Sequence, residues 1–215
     1  MVTGGATGGA TGAATGAATG TGWQALVLAA GLSSRFGGPK LLAPWNGGLL
    51  IDGALRAAFA APVARVTVVT GGHAAGVTAA ARAFAERIGQ SHRLALVHAA
   101  DHGEGLSASL RAGIASLPED AAGAFVFLAD MPAIPPFVAN ALAEAMTPDH
   151  DAAAPTFEGR RGHPVLIGRA LFEPIRHLTG DHGAGHLLKG LGDRLALVPT
   201  YEAGIHKDVD RREDL

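Results

Sequence analysis

Two cations lie within six positions of each other in a stretch dense with small residues, Leu28-Ala-Ala-Gly-Leu-Ser-Ser-Arg-Phe-Gly-Gly-Pro-Lys-Leu-Leu42. Small side chains at Ala29, Ala30 and Gly31 let a ligand approach the backbone closely. Ser33, Ser34, Gly37 and Gly38 can form a loop whose amides face oxyanions. Arg35 and Lys40 then supply the charge that neutralises a polyphosphate. Lys40 is one of three lysines, with Lys189 and Lys207, in a chain that carries 14 arginines. A composition that favours arginine so strongly has kept a lysine here. The stretch is neither a G-x-x-x-x-G-K-[ST] loop nor a G-x-G-x-x-G turn, so phosphate binding is expected of it in another form, against the alternative of a surface loop with incidental charges.

Three further groups carry chemistry. Asp130 follows the apolar run GAFVFLA and precedes Met131-Pro132. A carboxylate in that place suits Mg²⁺ held against phosphate oxygens, and it suits a helix N-cap equally well. Gly103-Glu104-Gly105 leads into a helix expected to begin near Ser107, whose hydroxyl is a natural cap. Free amides at such a start, approached through glycines, fit a base edge or an anion. Arg160, Arg161, Gly162-His163-Pro164 and Gly180-Asp181-His182-Gly183 bring together guanidiniums, imidazoles and glycines. These suit a phosphorylated polar heterocycle, and each also reads as an ordinary turn. His182 and His186 are four apart, but there is no H-E-x-x-H pattern and no third ligand, so zinc is not expected.

The elements that must position these residues are legible from hydrophobic pattern. Trp23–Ala29, Arg65–Thr70, Arg93–His98, Gly123–Leu128 and Arg194–Pro199 are short, largely apolar runs and predict buried strands. Leu50–Ala60, Ala74–Ile88, Leu106–Ser116, Pro135–Met146 and Ala184–Gly190 predict helices between or after them. Alternating strands and helices imply an α/β fold with a mostly parallel sheet covered on both faces. Ala153–Phe157, a polar EGRRG turn and His163–Ile167 break the rhythm and predict an inserted hairpin. In such sheets ligands gather beyond the carboxyl ends of the strands, where Gly31, Asp101 and Asp130 all fall.

Composition bounds the rest. A chain of 215 residues with 48% hydrophobic residues has enough sequence for one buried core. With no cysteine there is no disulfide, thiolate nucleophile or sulfur-ligated metal. Seventeen basic against 19 acidic side chains give no polybasic face for nucleic acid or an anionic membrane. No apolar run approaches the roughly 20 residues of a membrane span. The chain therefore reads as soluble, globular and cytoplasmic. Residues 1–22 are a near-repeat of Thr, Gly and Ala and are expected to be a disordered leader. Residues 23–215 are expected to form a single domain, with a nucleotide half to about 132 and an acceptor half from about 133.

The Leu28–Leu42 stretch resembles the nucleotidyltransferase signature L-A-[AG]-G-x-[SG]-x-R-[MF]-G-x-x-K. Its continuations resemble the MobA/MocA-like branch, the molybdenum-cofactor nucleotidyltransferases: Gly103–Gly113, Leu128-Ala-Asp-Met-Pro132, Gly159-Arg-Arg-Gly-His-Pro164, Gly180–Ala184 and Asp208-Val-Asp210. The resemblance implies a three-layer, Rossmann-like nucleotidyltransferase fold. It implies Mg²⁺-dependent transfer of a nucleoside monophosphate from an NTP to the phosphate of molybdopterin, with release of pyrophosphate. By that analogy Leu28, Ala29, Ala30, Gly31, Ser33, Ser34, Arg35, Lys40, Asp101, Gly105 and Ser107 bind the nucleotide. Arg35, Lys40 and Asp130 are then catalytic, and Asp130 holds the metal together with a terminal aspartate. Asp210 is favoured over Asp208, although Arg211-Arg212 replaces the usual Thr-Pro that follows. Arg161, Gly162, His163, Pro164, Asp181 and His182 fall to the acceptor, and Gly185 stands where relatives carry arginine.

The guanylyl-transferring branch usually has Leu-Ala-Gly-Gly where this chain has Leu28-Ala29-Ala30-Gly31. The alanine methyl leaves less room for a purine, and the resemblance therefore leans to CTP. A molybdenum hydroxylase is among the partners it implies. The rival readings are a guanylyltransferase, a transferase for another small phosphate, and a non-catalytic carrier of the cofactor.

Overall fold

Runs of Val, Leu, Ala and Phe that are apolar on both faces need cover on both sides, and the chain provides it. The computed structural model describes residues 22–180 and 183–215. Most of the expected leader, with Asp181 and His182, lies outside these residues.

The strands in chain order are β1 (Trp23–Ala29), β2 (Pro44–Trp45), β3 (Gly48–Leu49), β4 (Val66–Thr70), β5 (Leu94–His98), β6 (Gly123–Leu128), β7 (Ala152–Phe157), β8 (Arg160–Arg161), β9 (Val165–Gly168) and β10 (Leu195–Pro199). The helices are α1 (Leu50–Ala60), α2 (Ala74–Arg87), α3 (Leu106–Ala115), α4 (Phe137–Ala145), α5 (Phe172–Arg176) and α6 (Gly185–Gly190). The main sheet runs β10-β7-β9-β6-β1-β4-β5, with β8 paired to β7. β1 lies parallel to both β4 and β6, β4 to β5, and β10 to β7. Helices α1, α2 and α4 pack their apolar faces into one core, around Leu50, Leu55, Phe84 and Leu142. Helices α3, α5 and α6 pack on the other face, around Leu110, Ile114, Ile175 and Leu188. The result is the expected three-layer α/β fold.

The break in rhythm has a different form from a hairpin standing off the sheet. β9 lies inside the main sheet, antiparallel to both β6 and β7. The tight hairpin partner of β7 is the two-residue β8. Val165, Leu166, Ile167 and Gly168 are all buried, and burying both faces fills an interior position better than a solvated one. The small β2–β3 hairpin and α5 are elements that the hydrophobic pattern did not reveal, being too short to show a period.

Two close approaches fix the turn after β6. A methyl group on Gly53 of α1 would overlap the Pro132 carbonyl, and one on Gly204 would overlap the Ala133 carbonyl. Glycine at these positions lets α1 and the C-terminal segment close on the Asp130–Ala133 turn from both sides. Among the described residues, no helix is long and apolar enough to cross a membrane.

Candidate active site

The loop after β1 is exposed at Gly31, Leu32, Ser34 and Arg35 but is held down by a buried aromatic, Phe36. The Phe36 amide donates to the Ser33 carbonyl at 3.1 Å, closing a turn. Ser33 sits at φ 54°, a left-handed conformation costly for a residue with a side chain. Arg212 lies 5.0 Å from the centre of the Phe36 ring on its outer side. An anchored loop of small residues beside two cations can cradle a polyphosphate.

Lys40 begins a short 3₁₀ turn directly after this loop, with Leu41 buried beside it. Its ammonium donates to Asp130 Oδ2 at 2.7 Å, to the Val209 carbonyl at 2.8 Å and to Asp210 Oδ1 at 3.1 Å. Burial works to lower the lysine pKa. The charge and hydrogen bonds of Asp130 and Asp210 outweigh it, so the net shift is upward. Arg35, largely in solvent, reaches Asp210 Oδ2 at 3.3 Å. The Val209 amide donates to the Asp130 carbonyl at 3.0 Å, which joins the C-terminal segment to the turn after β6. Asp214 accepts from the Asp210 and Arg211 amides at 2.9 and 2.7 Å and holds Asp210 in place. Those two amides depress its pKa.

Four residues separated by up to 175 positions thus meet at one point. Asp130 ion-pairs with Lys40 rather than capping a helix, and α4 begins only at Phe137. Asp210 joins this group, whereas Asp208 is exposed. Its charge acts on His163. Both carboxylates face the Lys40 ammonium, with Arg35 also on Asp210, and such hard oxygen donors fit Mg²⁺, which takes one or two carboxylates and fills its shell with phosphate and water. Among the described residues, no group of three or more His, Asp or Glu side chains is placed to cage a metal. A metal here would need the nucleotide's own oxygens.

Three adjoining cavities open at the carboxyl ends of β1 and β6. The first, about 240 Å³, is lined by Leu28, Ala29, Gly31, Ser33, Ser34, Arg35, Lys40, Asp130 and Asp210. The second, about 460 Å³, shares Leu28, Gly31, Ser34 and Asp130 and continues to Ala30, His102, Gly103, Gly105 and Ser109. Gly105 lines this second cavity beside Gly103. Asp101 is exposed in the turn before it and does not line the cavity. Ala30 lines it while only 3% exposed, its methyl lying against the Gly71 backbone.

Ser107 does not cap the helix. Gly105 is the N-cap, and the Ser107 hydroxyl is buried without a partner, one residue inside the helix. The helix starts at Leu106 as expected, but its cap lies two residues before Ser107, whose hydroxyl falls inside the first turn. His102 was not singled out from sequence. Its Nδ1 lies 3.0 Å from the Ala99 carbonyl, which can only accept, so the ring donates there. In a neutral ring Nε2 then carries the lone pair.

The third cavity, about 220 Å³, is mostly aliphatic: Leu106, Leu110, Val126, Val165, Ile167 and Leu188 line it with Arg161, Gly162 and His163. A guanidinium nitrogen of Arg161 and Nδ1 of His163 are buried with no hydrogen-bond partner in the protein. Burial holds the His163 pKa below its ordinary value, more strongly than the Val126 backbone and Asp130 raise it. Pro164 follows through a cis peptide, is buried and does not line the cavity.

The model of the MobA-like NTP transferase domain matches residues 25–196, from within β1 to the start of β10. The chain belongs to this family. It is an α/β nucleotidyltransferase, and its relatives carry several names. It is 26% identical to the molybdenum cofactor cytidylyltransferase of Escherichia coli K12, over 88% of this chain and 91% of that one. It is 30% identical to a probable molybdenum cofactor guanylyltransferase of Bacillus cereus Q1, over 67% and 66% of the two chains. It is 28% identical to the nicotine blue oxidoreductase of Paenarthrobacter nicotinovorans, over 88% and 93%. A crystal structure of a homologue of Mycobacterium tuberculosis Rv0371c, from Mycobacterium sp. strain JC1, superposes with a TM-score of 0.77 at 27% identity. It covers 90% of this chain and 93% of that one. In this MobA-like domain the signature loop, Lys40 and Asp130 thus fall within the matched segment, while Asp210 lies beyond its end.

Proposed function

We propose that this MobA-like enzyme transfers CMP from CTP to the phosphate of a molybdopterin-type acceptor and releases pyrophosphate. The observation that carries this is the Lys40 ammonium between Asp130 and Asp210, in the cavity that Ser33, Ser34 and Arg35 also line. Two carboxylates and two cations at a strand edge form a site for phosphoryl charge. A carrier that only held a cofactor would need neither pair.

Each side chain has a task in this reading. The amides of Ser33 and Ser34, with Arg35, receive the β- and γ-phosphates. Lys40 can release one of its three acceptors and donate to the triphosphate. Asp130 and Asp210 would hold Mg²⁺, which when bound supplies charge neutralisation at the α-phosphate. The acceptor's phosphate oxygen attacks the α-phosphorus, the bond to the β-phosphate breaks, and pyrophosphate leaves. That oxygen is already anionic, so no general base is needed and the chain's work is positioning and electrostatics.

The third cavity suits the acceptor. A flat heterocycle would lie against its aliphatic wall, near the unpaired donor of Arg161 and the unpaired nitrogen of His163. Asp181 and His182 fall to the same half in this reading. Ala30 in the signature loop and the longer match to the cytidylyltransferase support CTP. The guanylyltransferase relative supports GTP as the second reading. The product would pass to a molybdenum hydroxylase.

Pyrophosphate release, measured with CTP or GTP, Mg²⁺ and molybdopterin, tests this. Rapid release with CTP is expected. Faster release with GTP moves the assignment to the guanylyl reading, and tight acceptor binding without release under either nucleotide replaces transfer with a carrier role.

A further inference from the structure

Resting on the cytidylyl reading above, the polar groups of the second cavity bear on which base it takes. The charged side chains of Arg35, Lys40, Asp130 and Asp210 meet in the first cavity, which in that reading takes the triphosphate. The second cavity shares Asp130 with it and runs on past Ala30, Leu32, Gly103, Gly105, Leu106 and Leu128. Beyond the shared Asp130 its lining holds no Lys, Arg, Asp or Glu. A slot of small and apolar groups, continuous with a phosphate site, fits a nucleoside. His102 and Ser109 are the polar side chains that this extension adds.

His102 is pinned in place. Its backbone amide and its ring Nδ1 both donate to the Ala99 carbonyl, at 3.2 and 3.0 Å. The Ala99 amide in turn donates to the carbonyl of Thr70, the last residue of β4, at 2.9 Å. The 3₁₀ turn His102–Glu104 is held from its other end by Arg111, which donates to Glu104 Oε2 at 2.8 Å and to the Leu178 carbonyl at 2.6 Å. His102 and Ala30 also pack on one glycine. A methyl on Gly71 would lie 2.7 Å from the Ala30 Cβ and 2.8 Å from the His102 Cβ. The two residues are therefore neighbours on the cavity wall.

The bond to Ala99 fixes the tautomer. A carbonyl only accepts, so in the neutral ring Nδ1 carries the proton and Nε2 is a pure acceptor. Among the described residues none bonds Nε2, and unlike the Ser107 hydroxyl it is not buried. The ring of His98 stands 5.8 Å off, centre to centre, and its Nδ1 lies 3.5 Å from Thr70 Oγ1 instead.

We propose that His102 Nε2 accepts a hydrogen bond from the exocyclic amine of cytosine and so sets CTP apart from UTP. Uracil carries a carbonyl oxygen where cytosine carries that amine, and two facing lone pairs leave both acceptors unpaired. The two bases have the same ring size, so the Ala30 methyl, which acts on size, does not separate them. Size is read at Ala30 and hydrogen-bond polarity at His102.

The test is calorimetric titration of the full chain with CTP, UTP and GTP in the presence of Mg²⁺ at mildly alkaline pH. Wild type is expected to bind CTP at least about tenfold more tightly than UTP. His102→Ala removes the acceptor, and His102→Gln supplies an amide that can turn either its oxygen or its NH₂ to the base. Both should bring the CTP-to-UTP ratio below about threefold. A role confined to holding the turn, or a poorly folding variant, would weaken both nucleotides together and leave their ratio unchanged. Equal binding of CTP and UTP by wild type, or a ratio preserved in either variant, overturns the assignment of His102 and leaves cytidylyl transfer in place. GTP bound more tightly than CTP by wild type, or none of the three bound, overturns the cytidylyl reading itself and this assignment with it.

Discussion

Replacing Asp130 with asparagine separates chemistry from architecture at this site. The side chain keeps its shape, and its amide oxygen can still accept from Lys40. The Val209 carbonyl and Asp210 continue to hold the ammonium at 2.8 and 3.1 Å. The lost ion pair is only partly buried, so the cost in stability is about 1 kcal/mol. For a domain of this size that is a fall of roughly 2–4 °C in Tm. The catalytic loss should be far larger. Removing one negative charge from a site that must hold Mg²⁺ against the α-phosphate weakens interactions realised in the transition state, by about 3–4 kcal/mol or roughly 10²–10³-fold in kcat. The assay is pyrophosphate release at saturating CTP and Mg²⁺, with thermal unfolding of the same preparation. Asp210→Asn should also lose activity, by at least about tenfold, while exposed Asp208→Asn should behave as wild type. Near-normal turnover in Asp130→Asn would refute the assignment. A fall of more than about 10 °C would refute the claim that the loss is chemical rather than structural.

CTP should be used about tenfold better than GTP, a difference of about 1.4 kcal/mol, and Ala30→Gly should narrow that ratio in competition assays. Because the Ala30 methyl is largely covered beside Gly71, the narrowing should be partial, about threefold. Gly53→Ala should cost about 1–3 kcal/mol in denaturant unfolding and lower turnover, since its methyl would push the Pro132 carbonyl and with it Asp130. His163 is held neutral by burial, with its pKa below the ordinary 6.5. As pH falls below that value the unfolded chain takes up a proton that the fold refuses, so stability drops between neutral and mildly acidic pH. His163→Gln should flatten that drop in urea titrations at pH 7.5 and 5.5, and an unchanged slope would remove His163 from the account.

The strands and most of the helices were legible in the sequence because their signals are local. An apolar run from Trp23 to Ala29 or Gly123 to Leu128 needs two covered faces wherever it lies, and α1 matches its period from Leu50 to Ala60. The signature loop was legible too, since small residues, serines and two cations compressed into one turn have few other uses. Position relative to distant chain was not legible. The choice between Asp208 and Asp210 depends on which carboxylate reaches Lys40, and two residues apart in sequence they look alike. The place of β9 between β6 and β7 follows from long-range pairing that a short apolar run does not specify. Ser107 reads as a cap, but the cap is Gly105, two residues earlier, and the hydroxyl is buried inside the first turn. Arg111 reads as an ordinary helix charge until the fold brings Glu104 and the Leu178 carbonyl, 67 positions away, to its two nitrogens. Local free energies set which segments become strand or helix. The contacts that make a site are set by closures across 90 to 175 residues, whose register only the packed core decides.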